Sequence, residues 1–425
     1  MKIKSFLRLS VAAALAAASA PSVFAAGFQI NEHSANGLGR SFAGQAALPE
    51  NATILATNPA AMTVFKTTQV SAALSYINPN IDVDGDLTVN VTGTPLTVDA
   101  SEDDIAGDAF VPAAFFVTPL NDRLSVGFGA FANYGLSTDY SEDYNALHFA
   151  DDAEITTVTL NPAVAYKVTD TLSLGFGVSA TYAEAKISTS TPKLIGQATM
   201  GAIPGNATIL QLEGDDWGYG WNVGAFWQVS ESTDIALSYR AETKLNLEGE
   251  IRSDLEAELN QGGSLDLNLA AITEFAVNHR IDQQWSVQFS VNHTEWSSFD
   301  KLEAQLDSGS TLLLKEEDFE NTWRVGVGAT YAMSDELTLR AGYAYDDGAV
   351  SFAHRSLSIP DTDRHWISAG ATYALNDTMN VDFGYAFLKG REANVHSEYD
   401  RIPSVLVATE SATAHILSAQ FNAAF

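Results

Sequence analysis

The 425-residue chain contains no cysteine. This absence excludes a disulfide framework, a thiolate zinc site, an iron–sulfur cluster and a cysteine nucleophile. Basic residues are scarce: 22 Lys and Arg stand against 53 Asp and Glu, for a formal net charge of −31. Nucleic acid is therefore not an expected partner, because phosphate binding requires clustered Lys and Arg. Beyond residue 25 no run of about 18 mainly apolar residues occurs, so the sequence predicts no membrane-spanning helix.

The N-terminus has the pattern of a secretory signal peptide. Lys2, Lys4 and Arg8 precede an apolar stretch at 9–20, and small residues follow as far as Ala25. The stretch is too short to span a bilayer. We predict that residues 1–25 are a signal peptide cleaved after Ala25, and that the chain is exported.

The rest of the chain contains long segments in which apolar side chains alternate with small or polar ones. In the segment from Leu124, the apolar face comprises Leu124, Val126, Phe128, Ala130, Ala132 and Tyr134, and the opposite face is mainly Ser, Gly and Asn. Similar patterns occupy 172–182 and 217–229. A period of two indicates strands, here about twice the usual length. Long strands with an apolar face, a Gly/Ser/Thr/Asn face and aromatics near their ends are typical of an outer-membrane barrel.

The alternation predicts an all-β fold, a 14-stranded antiparallel transmembrane β-barrel over residues 67–425. The predicted strands are 67–77, 108–118, 123–135, 154–168, 172–187, 214–229, 234–248, 267–281, 285–297, 319–333, 337–348, 363–375, 379–390 and 411–425. Six short turns separate them at 119–122, 169–171, 230–233, 282–284, 334–336 and 376–378. Seven long loops fall at 78–107, 136–153, 188–213, 249–266, 298–318, 349–362 and 391–410. Short turns alternating with long loops place both chain ends of the barrel in the periplasm.

Residues 26–66 do not alternate, and they carry few charges. A segment of this kind ahead of a barrel has two natural positions, hanging in the periplasm or folded into the lumen. The low charge favours an N-terminal hatch, or plug, inside the barrel. A plugged barrel is a gated conduit rather than an open porin.

An ordered set of short motifs carries a family resemblance. The segments are Ala26-Gly-Phe-Gln-Ile-Asn-Glu32, Gly37-Leu-Gly-Arg40, Asn58-Pro59-Ala60, Asn133-Tyr-Gly-Leu-Ser-Thr138, Leu314-Lys-Glu-Glu317, Ile359-Pro-Asp-Thr-Asp-Arg364 and Phe421-Asn-Ala-Ala-Phe425. With them the chain resembles the outer-membrane long-chain fatty acid transporters (FadL-like) from residue 26 to 425. The resemblance implies a monomeric barrel with a hatch in its lumen and passive uptake of hydrophobic molecules.

Two loops have the composition of a capture surface. The 188–213 loop contains Leu194, Ile195 and Ile209, and its only charge before Glu213 is Lys193. In the 249–266 loop, Ile251, Leu255 and Leu259 are spaced four apart, which predicts one apolar stripe on a short helix. Apolar loops on an acidic outer surface favour a groove for hydrophobic molecules, the role that the resemblance also implies. The alternative is a packed lid over the barrel.

Lys315 is the candidate cation for a carboxylate head group. It follows Leu312, Leu313 and Leu314, so an apolar wall adjoins a positive charge, and the resemblance assigns head-group binding to this lysine. The alternative is an ion pair with Glu316, Glu317 or Asp318. A second family cation, an arginine, would fall near Thr189, and its absence argues against a carboxylate; Lys186 is nearby in sequence.

The resemblance also implies a gate and an exit. It assigns the gate to Phe28 and Asn58-Pro59-Ala60, and places these last three opposite an inward kink in the third strand. The kink would open the wall sideways into the membrane, next to the small or polar residues Ala109, Ala132, Asn133 and Gly135. Bulges and glycines provide such breaks in strand pairing.

The expected function is passive outer-membrane transport of long-chain fatty acids or similar hydrophobic molecules. The alternatives are uptake of aromatic or other apolar hydrocarbons through the same fold and, less favoured, a general porin. No motif of an enzyme, cofactor or metal site is present: Asp82-Val-Asp-Gly-Asp86 begins like a calcium loop, but its twelfth position is Gly93. The expected partners are hydrophobic small molecules, outer-membrane lipid or lipopolysaccharide, and the barrel-assembly machinery.

Overall fold

The structure is a computed structural model that describes residues 27–90 and 93–425. The predicted signal peptide and its cleavage site therefore lie outside the described residues. In the part of the chain that is described, no helix has both the length and the apolar character needed to cross a membrane.

The described residues form one antiparallel sheet of strands β1 to β21. Their bounds are β1 Gln69–Val89, β2 Leu96–Asp99, β3 Ala109–Pro119, β4 Leu124–Phe131, β5 Gly135–Asp139, β6 Asp152–Lys167, β7 Leu172–Ser190, β8 Thr208–Gln228, β9 Thr233–Arg240, β10 Thr243–Arg252, β11 Gln261–Leu269, β12 Ile272–Arg280, β13 Trp285–Thr294, β14 Lys301–Leu306, β15 Thr311–Glu316, β16 Thr322–Ala332, β17 Leu337–Asp346, β18 Arg364–Asn376, β19 Met379–Gly390, β20 Ala393–Tyr399 and β21 Ser404–Ala424.

The sheet closes on itself because β1 pairs with β21, from Gln69 opposite Ala424 to Val89 opposite Ser404. Closure leaves no free sheet edge, which a barrel in lipid requires. Some strands of the barrel are interrupted, so that two consecutive elements together form one barrel strand. Examples are β4 with β5 and β9 with β10. Counted this way, the barrel has fourteen antiparallel strands and the six predicted short turns, so the predicted architecture is confirmed.

The alternation along the strands separates a lipid-facing surface from the lumen. On β7, Leu174, Phe176 and Val178 are 48%, 47% and 48% exposed. The residues between them face inward, and Gly175 contacts the N-terminal segment. The outer surface is therefore apolar, as the sequence predicts.

The N-terminal segment, residues 27–66, folds into short helices that we call together the hatch segment. They are α1 Ala35–Leu38, a 3₁₀ helix Gln45–Ala47, α2 Ile54–Thr57 and a 3₁₀ helix Pro59–Val64. Ser34 caps α1 by accepting a hydrogen bond from the Gly37 amide at 3.1 Å. Asn58 caps the second 3₁₀ helix by accepting from the Ala60 amide at 3.0 Å.

The hatch segment lies inside the lumen, because it touches inward-facing glycines all around the wall. A Cβ atom on Gly175 of β7 would lie 2.3 Å from the Ala60 nitrogen, and one on Gly370 of β18 would lie 2.8 Å from the Gly39 Cα. Further contacts join Leu55 to Gly127 on β4, Ala43 to Gly326 on β16, and Ala35 to Gly384 on β19. Glycine on these strands therefore makes room for backbone from the hatch segment.

The extracellular loops are shorter than predicted except for the one between β17 and β18, which spans residues 347–363. Strands β7 and β8 pair up to Ser190 opposite Thr208, so the apolar loop between them spans only residues 191–207, and it contains the helix α3, Lys193–Ala198. The helical stripe predicted at Ile251, Leu255 and Leu259 is wrong. Ile251 lies on β10, and only a 3₁₀ turn, Ala257–Leu259, separates β10 from β11. Cross-strand pairing of β10 with β8 and β11 overrides the four-residue spacing.

Candidate functional site

A groove with an empty volume of about 1230 Å³ lies on the extracellular side of the barrel. The first residues of β8, the β14–β15 hairpin and the loop after β20 form its walls. Its lining includes Ile209, Leu210, Leu212, Leu259, Leu312, Leu313, Leu314, Lys315, Tyr399 and Arg401. We call it the outer groove; it combines an apolar wall with two cationic side chains.

Both cations of the outer groove are ion-paired. The Lys315 Nζ lies 2.8 Å from the Glu317 Oε2, and Arg401 is 2.7 Å from Glu256. Glu317 is almost fully buried, and this burial raises the pKa of its carboxyl group, although the positive charge of Lys315 opposes the shift. Thr189 lines the same groove, whereas Lys186 pairs with Asp152 at 3.0 Å and does not line the groove. Lys315 is thus held at the groove by a buried carboxylate.

A second, mainly apolar cavity adjoins the outer groove. We call it the inner pocket. Its lining includes the apolar residues Leu136, Ile155, Ile187, Leu212, Leu247, Leu265, Leu267, Phe299 and Leu302, and the charged residues Glu154, Lys186, Glu213 and Glu250. Ile187 and Leu212 line both cavities, so two side chains form the partition between the groove and the pocket.

The start of the hatch segment closes the inner pocket at its lower end. Phe28 is fully buried, and its ring centroid lies 4.7 Å from Trp296, 5.4 Å from Phe299 and 6.0 Å from Tyr134. Tyr134 is held in turn by a hydrogen bond of 2.5 Å to the Ala270 carbonyl. Phe28 thus lies at the centre of one cluster of aromatic rings.

Beside this cluster of rings, the ladder between neighbouring strands is interrupted. β3 pairs with β4 only from Ala114 to Pro119, and β5 pairs with β6 alone. Residues 109–113 of β3 therefore have no strand partner on this side within the described chain. On the β6 side, Phe131 pairs with Thr159 but Gly135 pairs with Thr156, which leaves one extra residue on the kinked strand. That pattern is a β-bulge, and it turns the strand inward.

The hatch segment covers the interrupted region. The Ile30 amide donates to the Asn133 carbonyl at 2.6 Å, and the Gly135 amide donates to the Phe28 carbonyl at 2.9 Å. A Cβ atom on Gly135 would lie 2.7 Å from the Ile30 side chain, so glycine permits this approach. Ala109, Ala132 and Ile30 belong to one apolar cluster.

Some of the predicted site residues line the outer groove, and others lie elsewhere. Ile209, Leu259, Leu313 and Lys315 line the outer groove. Leu194 and Ile195 do not line it: they pack with Val89 and Ile402 in a separate cluster at the loop tips. Leu255 is 41% exposed and lines neither cavity.

Asn58-Pro59-Ala60 does not bond to the kink. Asn58 donates to the Ala225 carbonyl of β8 at 3.2 Å, and Ala60 packs on Gly175 of β7. Phe28, Gln29 and Ile30 occupy the kink instead. The expectation that Asn58-Pro59-Ala60 lies opposite the kink is therefore wrong. The residues that bond to the kink are the first three of the hatch segment that are named above.

The inner pocket contains residues that sequence reasoning missed, above all Leu247, Leu265, Leu267 and Phe299. The sequence did contain a pattern that marks these residues. Leu245 and Leu247 on β10 alternate with polar residues, as do Leu265, Leu267 and Leu269 on β11. The rule that apolar side chains of a barrel face outward and polar ones face inward would have placed these leucines against lipid. They are instead buried on the inward face.

Comparisons with known proteins agree with this architecture. Residues 15–425 match the family model described as "Outer membrane protein transport protein (OMPP1/FadL/TodX)". The chain is 36% identical over 396 residues to the long-chain fatty acid transport protein of Escherichia coli K12, covering 85% of this chain and 86% of that protein. It is 36% identical over 375 residues to outer membrane protein P1 of Haemophilus influenzae, covering 81% and 82%.

Solved structures have the same fold. A Pseudomonas aeruginosa FadL homologue superposes with a TM-score of 0.84 at 24% identity, covering 94% of this chain and 99% of that one. The toluene transporter TbuX of Ralstonia pickettii superposes with a TM-score of 0.62 at 20% identity, covering 90% and 97%.

Proposed function

The chain belongs to the outer membrane transport protein family OMPP1/FadL/TodX, and we propose that it carries long-chain fatty acids or similar apolar molecules passively across the outer membrane. One observation carries the proposal: the outer groove, the inner pocket and the interrupted ladder follow one another, with only small barriers between them. The relatives named as long-chain fatty acid transport proteins support the cargo.

The proposed route has three steps. An apolar molecule binds in the outer groove and passes the partition of Ile187 and Leu212 into the inner pocket. Displacement of Phe28 then uncovers the gap between β3 and β5, where the molecule leaves sideways into the membrane. In this proposal residues 26–66 act as a hatch, the barrel works as a monomer among outer-membrane lipid or lipopolysaccharide after insertion by the barrel-assembly machinery, and no catalytic step takes part.

A second cargo, an aromatic or other apolar hydrocarbon, is favoured by one observation. Lys315 is already paired with Glu317, and Thr189 stands where the resembled family has an arginine, so the outer groove offers little to a carboxylate. The likeness to the toluene transporter concerns the fold. Uptake of labelled oleate beside labelled toluene, in a Gram-negative host that lacks its own transporter, distinguishes the two cargoes.

The lateral step has its own test. Ala109→Glu and Gly135→Glu each place a charge at the gap, so we expect uptake to fall to the level of the empty host while the barrel remains heat-modifiable on gels. Ala109→Ser, which keeps the side chain small, is the matched control and should retain uptake. Undiminished uptake in both glutamate variants would rule out the lateral route.

A further inference from the structure

Arg240, the last residue of β9, points into the lumen beside the kinked strand. Its guanidinium lies over the ring of Phe131, 5.4 Å from the centroid, and Phe131 is the last residue before the kink. The Nη2 donates to the Ala56 carbonyl of the hatch segment at 2.7 Å and to the Asn161 Oδ1 at 3.4 Å. Among residues 27–90 and 93–425 these are the hydrogen bonds that the Arg240 guanidinium makes, and both are made by Nη2.

Arg240 also differs from other arginines of the lumen in its lack of a carboxylate. Arg40 and Arg340 both pair with Glu50, at 2.6 and 2.8 Å, and Arg364 pairs with Asp361. Within the described chain Arg240 forms no ion pair, and no carboxylate is among its electrostatic neighbours. Arg240 is partly exposed within the barrel. A cation whose water is partly removed and that has no counter-ion favours an anionic ligand.

Arg324 offers an internal comparison because its setting is otherwise the same. Its Nη2 donates to a carbonyl of the hatch segment, that of Ser41, at 2.7 Å, and its guanidinium lies over Trp366, 5.0 Å from the ring. Arg324 likewise forms no direct ion pair in the described chain, but Asp346 lies opposite it on β17 and, with Glu274, places carboxylates near its charge. Anchoring the hatch segment therefore does not require an arginine without a counter-ion.

We propose that Arg240 is a second binding site for the carboxylate of a fatty acid, reached after the molecule has passed Phe28 and Tyr134. The inference rests on the proposed transport function and adds the chemistry of the head group at the exit. The Nε–H and Nη1–H groups can each donate a charge-assisted hydrogen bond to a carboxylate oxygen, while Nη2 keeps its bonds to Ala56 and Asn161. His33, whose ring packs on Phe131 at 6.2 Å, has two buried nitrogens without a hydrogen-bond partner, so further polar capacity lies beside the same ring.

The site would hold the head group at the level of the kink while the tail enters the gap between β3 and β5. It would also supply the cation that is missing at Thr189 in the outer groove. Lys315 and Arg240 would then act in turn, on opposite sides of Phe28.

Uptake of oleate and of its uncharged methyl ester, measured in the same host, tests the proposal. In Arg240→Gln we expect oleate uptake to fall about tenfold, because a charge-assisted hydrogen bond to the carboxylate is lost, while methyl oleate uptake is unchanged. Arg240→Lys should restore part of the oleate uptake. Arg324→Gln, the matched control, should change the ratio of oleate to ester uptake little.

Equal loss of both substrates in Arg240→Gln would show that Arg240 only anchors the hatch segment and would overturn the proposal, as would loss of neither. A wild-type protein that carries the ester but not oleate would also overturn it, while leaving transport of apolar molecules in place. If the wild-type protein carries neither substrate above the empty host, the proposed transport function itself fails. Heat-modifiability on gels confirms that each variant is folded.

Discussion

At the residue scale, Lys315 has two competing partners, the buried Glu317 and an incoming anion. The ion pair keeps the Glu317 carboxylate charged in a place where burial raises its pKa. Because that pKa is raised, Glu317 takes up a proton at a higher pH than an exposed glutamate would, and protonation releases Lys315. Acidification should therefore strengthen anion binding in the outer groove.

The prediction can be measured with dodecyl sulfate, whose own charge does not change between pH 7 and pH 5. We expect its affinity to rise about fivefold over this range, since a partly exposed ion pair is worth ~1 kcal/mol. Glu317→Gln should bind with the higher affinity at both pH values, and Lys315→Met with low affinity at both. A pH response that persists in Glu317→Gln would assign the effect to another group.

The sequence alone could not predict which charged residues form ion pairs with each other. Arg40, Glu50 and Arg340 meet although 290 positions separate the last two. Arg240 differs from Arg40 and Arg340 in having no carboxylate partner. A single amino-acid sequence does not reveal this difference. The position of Lys315 beside an apolar wall was predictable, because Leu312, Leu313 and Leu314 are its direct neighbours in the chain.

At the scale of elements, the fit between the hatch segment and the barrel wall depends on glycine at β7. A Cβ atom on Gly175 would lie 2.3 Å from the backbone of Ala60, whereas one on Gly177 would meet only the side chains of Asn222 and Asn161. A backbone contact this close cannot be relieved by a change of rotamer. Gly175→Ala should therefore displace the second 3₁₀ helix, at a cost of about 1–3 kcal/mol.

Planar-bilayer conductance is the measurement for this prediction. Wild-type protein with the hatch segment in place should conduct little, and Gly175→Ala should show frequent openings. Gly177→Ala, on the same strand and the same face, should behave like wild type. Silent bilayers with both variants would mean that the second 3₁₀ helix does not block ion flow.

Strands and their order were predictable because alternation and short polar turns are local features. The residues at which the strands end could not be predicted from these local features. β7 and β8 continue to Ser190 and Thr208 because they pair with each other above the membrane, where no lipid imposes an apolar outer face. The inner pocket was missed for a related reason: Leu247 and Leu265 face inward above the hatch segment, where the inward-polar rule for a lumen no longer applies.

At the scale of the whole molecule, the body of the hatch segment is bonded to the wall by side chains on several strands, whereas its first residues are bonded mainly through backbone groups at the kink. Side-chain bonds join Ser41 to Ser368 at 2.8 Å and Thr63 to Ser173 at 2.6 Å. Near the kink, by contrast, the side-chain bond to the wall is that of Gln29 to Thr294 at 3.1 Å. Opening should therefore involve the first residues while the rest of the hatch segment stays in place.

Cysteine pairs test this division, and the natural chain has no thiol to interfere. With Ser41→Cys and Ser368→Cys oxidised to a disulfide, uptake of the carried substrate should remain near the wild-type rate. With Gln29→Cys and Thr294→Cys oxidised, uptake should stop and return on reduction with dithiothreitol. Arrest by the Ser41–Ser368 link would instead indicate that the hatch segment leaves its seat as one body.

The pairing that closes the barrel also determines how far the molecule projects above the membrane. β1 has 21 residues, each opposite a residue of β21, so this seam is about 70 Å long at ~3.3 Å per residue. At a tilt of about 40° it rises roughly 50 Å, while the apolar band of an outer-membrane barrel is about 25 Å tall. The wall therefore stands some 25 Å clear of the hydrocarbon layer. The mouth of the outer groove opens near its upper end, beside Tyr399 and Arg401. If the proposed function is correct, an apolar molecule therefore binds the protein well above the hydrocarbon layer, before it reaches the membrane itself.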